Sequence, residues 1–449
     1  MVSPIHLAER VAAQLAPLIP AHSSILVGLS GGLDSVVLLH LLHKIAVRFS
    51  WRLSALHVHH GISPNAGVWA DFCTDLCARH QIPLHIEHVD IKPLREHGIE
   101  AAARKLRHAA FAGQACDFVA LAHHADDQAE TLLLQLLRGS GVRGAAAMPV
   151  LSSPKWPMLA GRAGSHGVLR PLLYCSRQEI LAYAEEQGLE WTDDESNADD
   201  SYPRNFLRHR VLPLLEQKFP AYRDTLVRST RHFAEASELL DELAKQDAGQ
   251  APEGKTMPVA ALRKLPLIRA KNLLRYFLHA QGAPLPRSEQ LEEMLRQLCD
   301  ARQDAAVRVR YGDHQVRRFR DRVYVLSLET EFDHGFVLPW QGEATLDWPP
   351  LSARLYFSFS TGVGIGLRKL QRAPLTLRLR SGSETLRPHP AAARRTLRNL
   401  LQQYHIPPWQ RERLPLLFCG EELVCVVGVA IDAEYQALNN EDGVLVSCE

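Results

Sequence analysis

The residues SGGLDS, 30–35, join an apolar run at 24–29 to a helical pattern at 35–49. Few architectures tolerate such a junction. The run SILVGL reads as a buried strand, and Val36, Val37, Leu39, Leu42, Ile45 and Ala46 recur at helical spacing. Gly31 and Gly32 let the chain turn sharply and let backbone approach a ligand closely. The N–H groups that open the helix then face the turn, where the helix dipole favours negative charge. The result is an anion nest at a strand end, suited to phosphate. It is not a Walker A loop, because no lysine follows the glycines. A carboxylate inside the nest, Asp34, calls for a cation beside the phosphates, most simply Mg²⁺. The plain alternative is a tight turn capped by Asp34.

The same strand–helix alternation fills residues 1–216. Strands are expected at 53–58, 84–89 and 118–122, and helices at 69–80, 100–115, 125–137 and 178–187. This pattern implies an α/β domain with a doubly wound parallel sheet, whose ligands bind beyond the carboxyl ends of the strands. Residues 148–167 carry Pro, Gly and Ser without periodicity and read as a long loop. Helical patterns at 221–246 and 258–300, then a hairpin-like alternation at 307–326, suggest a helical middle domain over 217–330. Residues 331–449 read as a small α+β domain, with strands at 375–379, 414–418 and 423–429 and a helix at 391–404.

Composition narrows the function classes. With 46% hydrophobic and 22% charged residues, the 449-residue chain is neither disordered nor extreme. Lys+Arg 51 against Asp+Glu 50 excludes a uniformly basic nucleic-acid coat protein. The charge is uneven, however. Between 368 and 413, eleven Arg and Lys residues stand against Glu384 and Glu412 alone. Such clustering is the footprint of phosphate-backbone binding, or else a solvated basic face. No apolar stretch reaches the roughly 20 residues of a membrane span, and no leader pattern opens the chain. Eight scattered cysteines suit reduced thiols in a cytoplasm.

A second cluster falls on the same sheet edge. The second strand ends in HVHHG, with His57 and His59 on one face. The fourth ends in HHADDQAET, where Asp126 and Asp127 open a helix and Asp127 and Glu130 share a face. A metallohydrolase could use such residues, but it leaves SGGLDS unexplained. His57 and His59 could also be satisfied core histidines. The GSGVRG at 139–144 matches GxGxxG but follows a helix instead of a strand, so it is not a dinucleotide fingerprint; it reads as a mobile loop.

SGGLDS resembles the PP-loop of the N-type ATP pyrophosphatases. The ordered set SGGLDS, HVHHG, LAHHADDQAET, RGSGVRG, RPLL and DESNADDSYPRNFLRHRVLPLL covers about the first 215 residues. With HIPPWQRERLPLLF and LVCVVGVAI further on, it resembles the bacterial tRNA(Ile)-lysidine synthetase family over nearly the whole chain. Two local departures are a longer loop after Met148 and RHAAF where an aromatic commonly follows the second arginine of that helix.

The resemblance implies an adenine nucleotide alpha hydrolase-like fold and a two-step ligation. ATP would adenylate the C2 oxygen of the wobble cytidine in a tRNA-Ile with a CAU anticodon, and L-lysine would then displace AMP. It implies ATP binding by Ser30, Gly31, Gly32, Leu33, Asp34, Ser35 and His57, with Mg²⁺ on Asp34. Asp34, Asp127, Glu130 and Arg104 would be catalytic, and Asp127 with Glu130 would receive lysine. Arg204, Arg208, Arg395, Arg398 and Arg411 would bind tRNA. A cytoplasmic protein, with homodimer formation compatible, completes the expectation. PP-loop enzymes that thiolate tRNA commonly use cysteine pairs, and this chain has no CxxC. PP-loop NAD and GMP synthetases carry other substrate domains. A non-catalytic tRNA-binding protein with a relict nucleotide fold would have little need of Asp34 and Glu130.

Overall fold

The computed structural model describes residues 4–61, 63–90, 99–152, 167–193, 199–249, 256–302, 305–328, 333–351 and 353–448. Most of the expected 148–167 loop, and Asp194 and Asn197, lie outside them. Packing divides the chain into two compact units: residues 1–249 with 267–276, and 250–266 with 277–449. The first therefore extends past the boundary expected at 216.

The first unit opens with α1 (Pro4–Leu15), β1 (Ser24–Gly28), α2 (Leu33–Phe49), β2 (Arg52–His59), α3 (Ala66–Arg79) and β3 (Leu84–His88). It continues with α4 (Ile99–Ala112), β4 (Phe118–Ala120), α5 (Ala125–Leu137), α6 (Val142–Ala145), β5 (Leu151–Ser152), β6 (Gly167–Leu169) and α7 (Arg177–Glu186). Then come α8 (Pro203–Phe206), a π-helical turn at Leu207–Val211, α9 (Leu212–Lys218) and α10 (Tyr222–Ala248). The strand order is β3-β2-β1-β4-β6-β5. All neighbours run parallel except β5, a two-residue antiparallel edge. The long loop expected at 148–167 thus begins and ends in sheet.

The chain winds from β1 to β2 on one side and crosses to β4 on the other. β1 and β4 therefore flank the topological switch point, where an open parallel sheet leaves a crevice at its carboxyl rim. The PP-loop follows β1 and the acidic helix α5 follows β4, so the fold sets these two motifs side by side.

α2 is buried on most of its surface. Val36, Val37, Leu38, Leu39, Leu41 and Leu42 are all within 1% of full burial, against Ile25 and Val27 of β1. The helix stops at Ser50, whose left-handed backbone (φ 56°) returns its N–H to the Ala46 and Val47 carbonyls. GSGVRG is a capped turn instead of a loose loop. Gly141 caps α6, Ser140 Oγ donates to Gln135 Oε1 at 2.6 Å, and Arg143 pairs with Asp241 of α10.

In the second unit, helices Val259–Arg263 and Ser288–Asp300 accompany a four-stranded sheet. Its strands are Thr256–Pro258, Arg322–Ser327, His314–Phe319 and Arg308–Tyr311, in that spatial order. The hairpin expected at 307–326 is part of this larger sheet. Two further sheets enclose the core of Trp348, Leu355, Ile365, Leu377, Leu417, Val424 and Val444. Trp348 is fully buried, and its Nε1–H donates to the Arg413 carbonyl at 2.8 Å. The helix expected at 391–404 is shorter, Leu397–Gln403. Thr396 caps it, and Arg395 pairs as strand with Leu386. No helix among the described residues is long and apolar enough to cross a membrane.

His40 shows how the packing couples to pH. Its Nδ1 lies 3.1 Å from the Tyr183 hydroxyl of α7, with Lys44 and His43 on its own helix and His80 at the end of α3. Burial, then Lys44, His80 and His43, push it down to about 4. The unfolded chain protonates this imidazole near its ordinary value of about 6.5, so stability present above that pH drains away as pH falls towards 4. The thermal midpoint should fall between pH 6.5 and 4.5, and His40→Gln should make the fall shallower. A pH profile unchanged by His40→Gln would contradict this account.

Candidate active site

The PP-loop is built from its own side chains. Gly31 has φ +92°, a conformation only glycine adopts freely, and a Cβ there would meet Thr192 Oγ1 at 2.9 Å. The Thr192 N–H donates to the Gly31 carbonyl at 2.9 Å. Ser35 Oγ accepts the Ser30 N–H at 3.2 Å and donates to the Gly32 carbonyl at 2.9 Å. Gly32 caps α2 with extended backbone. The Ser35 and Val36 N–H groups donate to the Gly32 carbonyl, and the first N–H groups of a helix, here Leu33 and Asp34, lack intrahelical partners and suit an anion.

His57 takes a different place from the one expected of a nucleotide contact. It is 4% exposed, and its Nδ1–H donates to the Leu29 carbonyl at 2.9 Å. Burial lowers its proton affinity, which keeps it a neutral donor. It props the residue before the loop from beneath. His59 stacks instead with His88, ring centres 4.7 Å apart.

The helix α5 begins in a capping box: the Asp127 carboxylate accepts the His124 N–H at 2.9 Å. His124 is 3% exposed and three carboxylates surround it. Its Nε2 lies 3.6 Å from Asp34 and 3.5 Å from Asp127, and its Nδ1 lies 3.5 Å from Asp126. Burial alone would strip its proton; Asp127, Asp126 and Asp34 outweigh that and push it up to about 10. His124 thus lies between the PP-loop and the acidic helix, with carboxylates of both within 3.6 Å.

Asp126 faces away from the loop. It accepts Arg223 Nε of α10 at 2.5 Å and the Arg177 N–H of α7 at 3.0 Å. Its proton affinity lies well below the usual carboxylate range, because burial is overcome by His124, the Arg177 N–H and Arg223.

Asp127 and Glu130 point the other way, into a quartet with two arginines. Glu130 is fully buried. It accepts Arg204 Nε at 2.6 Å and Arg208 Nε at 2.7 Å. Asp127 accepts Arg204 Nη2 at 2.8 Å. Charge-assisted bonds of this kind are strong, and removing one partner of a buried pair costs about 3–5 kcal/mol. Both arginines sit where α8 widens into the π-helical turn, a local irregularity that often marks functional segments. The expected tRNA contacts Arg204 and Arg208 therefore neutralise the expected lysine contacts Asp127 and Glu130. Burial raises the Asp127 carboxyl, but His124 and Arg204 outweigh it and hold the group ionised.

Arg104 lies on α4, exposed, with no carboxylate in ion-pair range among the described residues. Sequence reasoning gave no role to His124, Arg170, Arg177, Arg223 or Gln128. The doubled histidine before a helix start, and RPLL, were the available signals.

In the second unit, Arg398 and Arg411 come together with two arginines outside the expected set. Burial and the charges of Arg380, Arg320 and Arg398 lower Arg411's proton affinity, while its Nε holds the Ile406 carbonyl at 2.8 Å. Arg317 lies 4.9 Å over the Trp409 ring, which Tyr324 and Phe319 meet edge-on. Arg395 is exposed and donates to Gln403.

Comparison with known proteins identifies the family. Residues 5–215 match the family model of a PP-loop domain, 257–324 that of the TilS substrate binding domain, and 375–448 that of the TilS substrate C-terminal domain. A tRNA(Ile)-lysidine synthase from Nitrosomonas europaea is 44% identical over 421 residues, covering 94% of this chain and 91% of its own. One from Azoarcus sp. is 40% identical over 417 residues, covering 93% and 90%. One from Coxiella burnetii is 34% identical over 425 residues, covering 94% and 92%. The chain belongs to the tRNA(Ile)-lysidine synthase family.

Proposed function

We propose that this chain ligates L-lysine to C2 of the wobble cytidine of a tRNA-Ile with a CAU anticodon, driven by ATP. The observation that carries this reading is the bridge at His124, within 3.6 Å of Asp34 in the PP-loop and 3.5 Å of Asp127 on the acidic helix. An anion-binding turn and a carboxylate pair on one rim suit a triphosphate and a cationic amino acid that must react in sequence.

In the first step the C2 oxygen attacks the α-phosphorus and pyrophosphate leaves. Ser30, Gly31, Gly32, Leu33 and Ser35 hold the departing charge through preorganised donors. In the second step the neutral ε-amine attacks C2, the C2–O bond breaks, AMP departs with the oxygen, and the nitrogen loses a proton. Asp127 and Glu130 are the carboxylates placed to hold lysine and to help accept that proton.

Mg²⁺ fits Asp34. Its Oδ1 is buried without a hydrogen-bond partner among the described residues. One carboxylate, phosphate oxygens and water are a donor set this ion accepts. Bound there, the ion would neutralise phosphate charge.

Lysine cannot reach Asp127 and Glu130 while Arg204 and Arg208 occupy them. A phosphate backbone offers these arginines an alternative partner. Docking of tRNA would draw Arg204 and Arg208 onto phosphates and vacate the carboxylates for the amino acid. In the second unit, Arg395, Arg398 and Arg411 supply backbone contacts, with the aromatic cluster at Trp409 beside Arg317. Eight free cysteines and a tRNA substrate suit the cytoplasm.

Two substitutions separate the steps. With tRNA present, Asp34→Asn should cut ATP–pyrophosphate exchange by about 100-fold, the scale of losing one transition-state contact. Asp127→Asn should leave that exchange largely intact and raise the KM for lysine. Wild-type exchange in the first variant, or an unchanged lysine KM in the second, would contradict the assignments. For the basic surface, the Arg398→Ala, Arg411→Ala double variant should weaken tRNA binding and lower the slope of log K against log salt by about two. An unchanged slope would mean a merely solvated face.

A further inference from the structure

Arg170 follows β6 on the carboxyl rim, one strand beyond β4. The register places Leu169 beside Ala120, and the Leu121 N–H donates to the Leu169 carbonyl at 2.9 Å. Arg170 is therefore level with Leu121, and His123 follows two residues further along the adjacent segment on the same rim.

Arg170 is held with care on one side only. Its Nη1 donates to the Pro149 carbonyl at 2.9 Å and to Ser152 Oγ at 3.2 Å. Its backbone N–H donates to the Val150 carbonyl at 2.8 Å. The same segment is anchored to the acidic helix. Gln128 Nε2 donates to the Met148 carbonyl at 2.8 Å, and the Met148 N–H returns to Gln128 Oε1 at 2.9 Å. A continuous chain of bonds thus fixes Arg170 relative to Asp127, the neighbour of Gln128.

The other side of the guanidinium is unanswered. Arg170 Nε is buried with no hydrogen-bond partner among the described residues, and so is His123 Nδ1. A buried donor left unmade is costly, so such atoms call for a partner the protein does not itself provide. No described carboxylate pairs with Arg170 or with Arg104. Like charges accumulate instead. Burial and Arg104 push Arg170 down to about 10. His108 is lowered to about 4 by burial, Arg104, Arg107 and Arg170, and His123, despite the attraction of Asp127, is lowered to about 3 by burial, Arg170, Arg204 and Arg104. The shifts of both imidazoles and of Arg170 reflect burial and the positive charges of the neighbouring arginines.

We propose that Arg170 and the buried Nδ1 of His123, with the exposed Arg104 of α4 as a further cation, form a phosphate subsite on the rim, separate from the PP-loop. Arg170 Nε–H and His123 Nδ1–H would each donate to a phosphate oxygen, and Arg104 would close the exposed side. A fixed guanidinium suits this task because its Nη1 is anchored while Nε stays free. The phosphate comes either from the nucleotide or from the tRNA backbone flanking the target base. The inference deepens the proposed function and rests on its placement of both substrates on this rim.

Arg170→Lys keeps the charge and loses the fixed Nε–H. In the full-length protein it should weaken one of two ligands by about tenfold, with far-UV circular dichroism unchanged. Loss of ATP affinity assigns the nucleotide phosphate. Loss of tRNA affinity, with a salt slope shallower by about one, assigns the backbone. Either supports the subsite. Binding of both ligands within twofold of wild type overturns it, and so does a rise in lysine KM alone, which would mark a carboxylate site. Should Arg170→Lys fail to fold, the exposed Arg104→Gln carries the same expectation and the same refutation. Wild-type protein that makes lysidine while these variants bind normally would remove the subsite and leave the function standing.

Discussion

One buried histidine, ringed by three carboxylates, links the parts of the sheet's rim. His124 sits between Asp34, Asp126 and Asp127, and each carboxylate belongs to a different task. Asp34 stands in the phosphate loop, Asp126 ties the acidic helix to α7 and α10, and Asp127 opens towards the arginine quartet. A charge enclosed this deeply is tolerable only because three opposite charges surround it. Moving the phosphate loop away from the acidic helix would leave these charges less compensated. The arrangement thus fixes the distance between the phosphate loop and the carboxylates of the acidic helix.

Around this centre, charge is balanced pair by pair. Arg223 answers Asp126, and Arg204 with Arg208 answer Glu130 and Asp127. Asp127 and Glu130 are thus occupied by arginines, while Asp34 Oδ1 has no hydrogen-bond partner among the described residues. Under the proposed function a competing polyanion would draw the arginines away. Coupling of this sort would order the reaction: RNA first, amino acid second. The two compact units divide the work along similar lines, with phosphate chemistry in the first and a basic, aromatic surface around Trp409 in the second.

Much of this was legible in the chain. SGGLDS between an apolar run and a helical pattern located the loop, and the α5 boundaries at 125–137 agree with the structure because periodicity and the Asp-Asp start signal coincide. The edge strands β5 and β6 were not legible. They span two and three residues, too short for a period, and they exist because β4 offers an unpaired edge. The helix expected from 391 begins at Leu397, since Thr396 caps it and the residues before it pair as strand. The neutralisation of Glu130 joins residues 74 apart, and no local pattern announces a pairing at that range. The bond from His57 to the Leu29 carbonyl joins residues of neighbouring strands, and the residue type alone did not announce it.

The most direct test of the account is mass spectrometry of a CAU-anticodon tRNA-Ile after incubation with the protein, ATP and L-lysine, with the nucleotide products resolved. The account predicts a wobble cytidine heavier by one lysine less one water, with AMP and pyrophosphate released in equal amounts. An unmodified cytidine, or ADP and orthophosphate as the products, would contradict it.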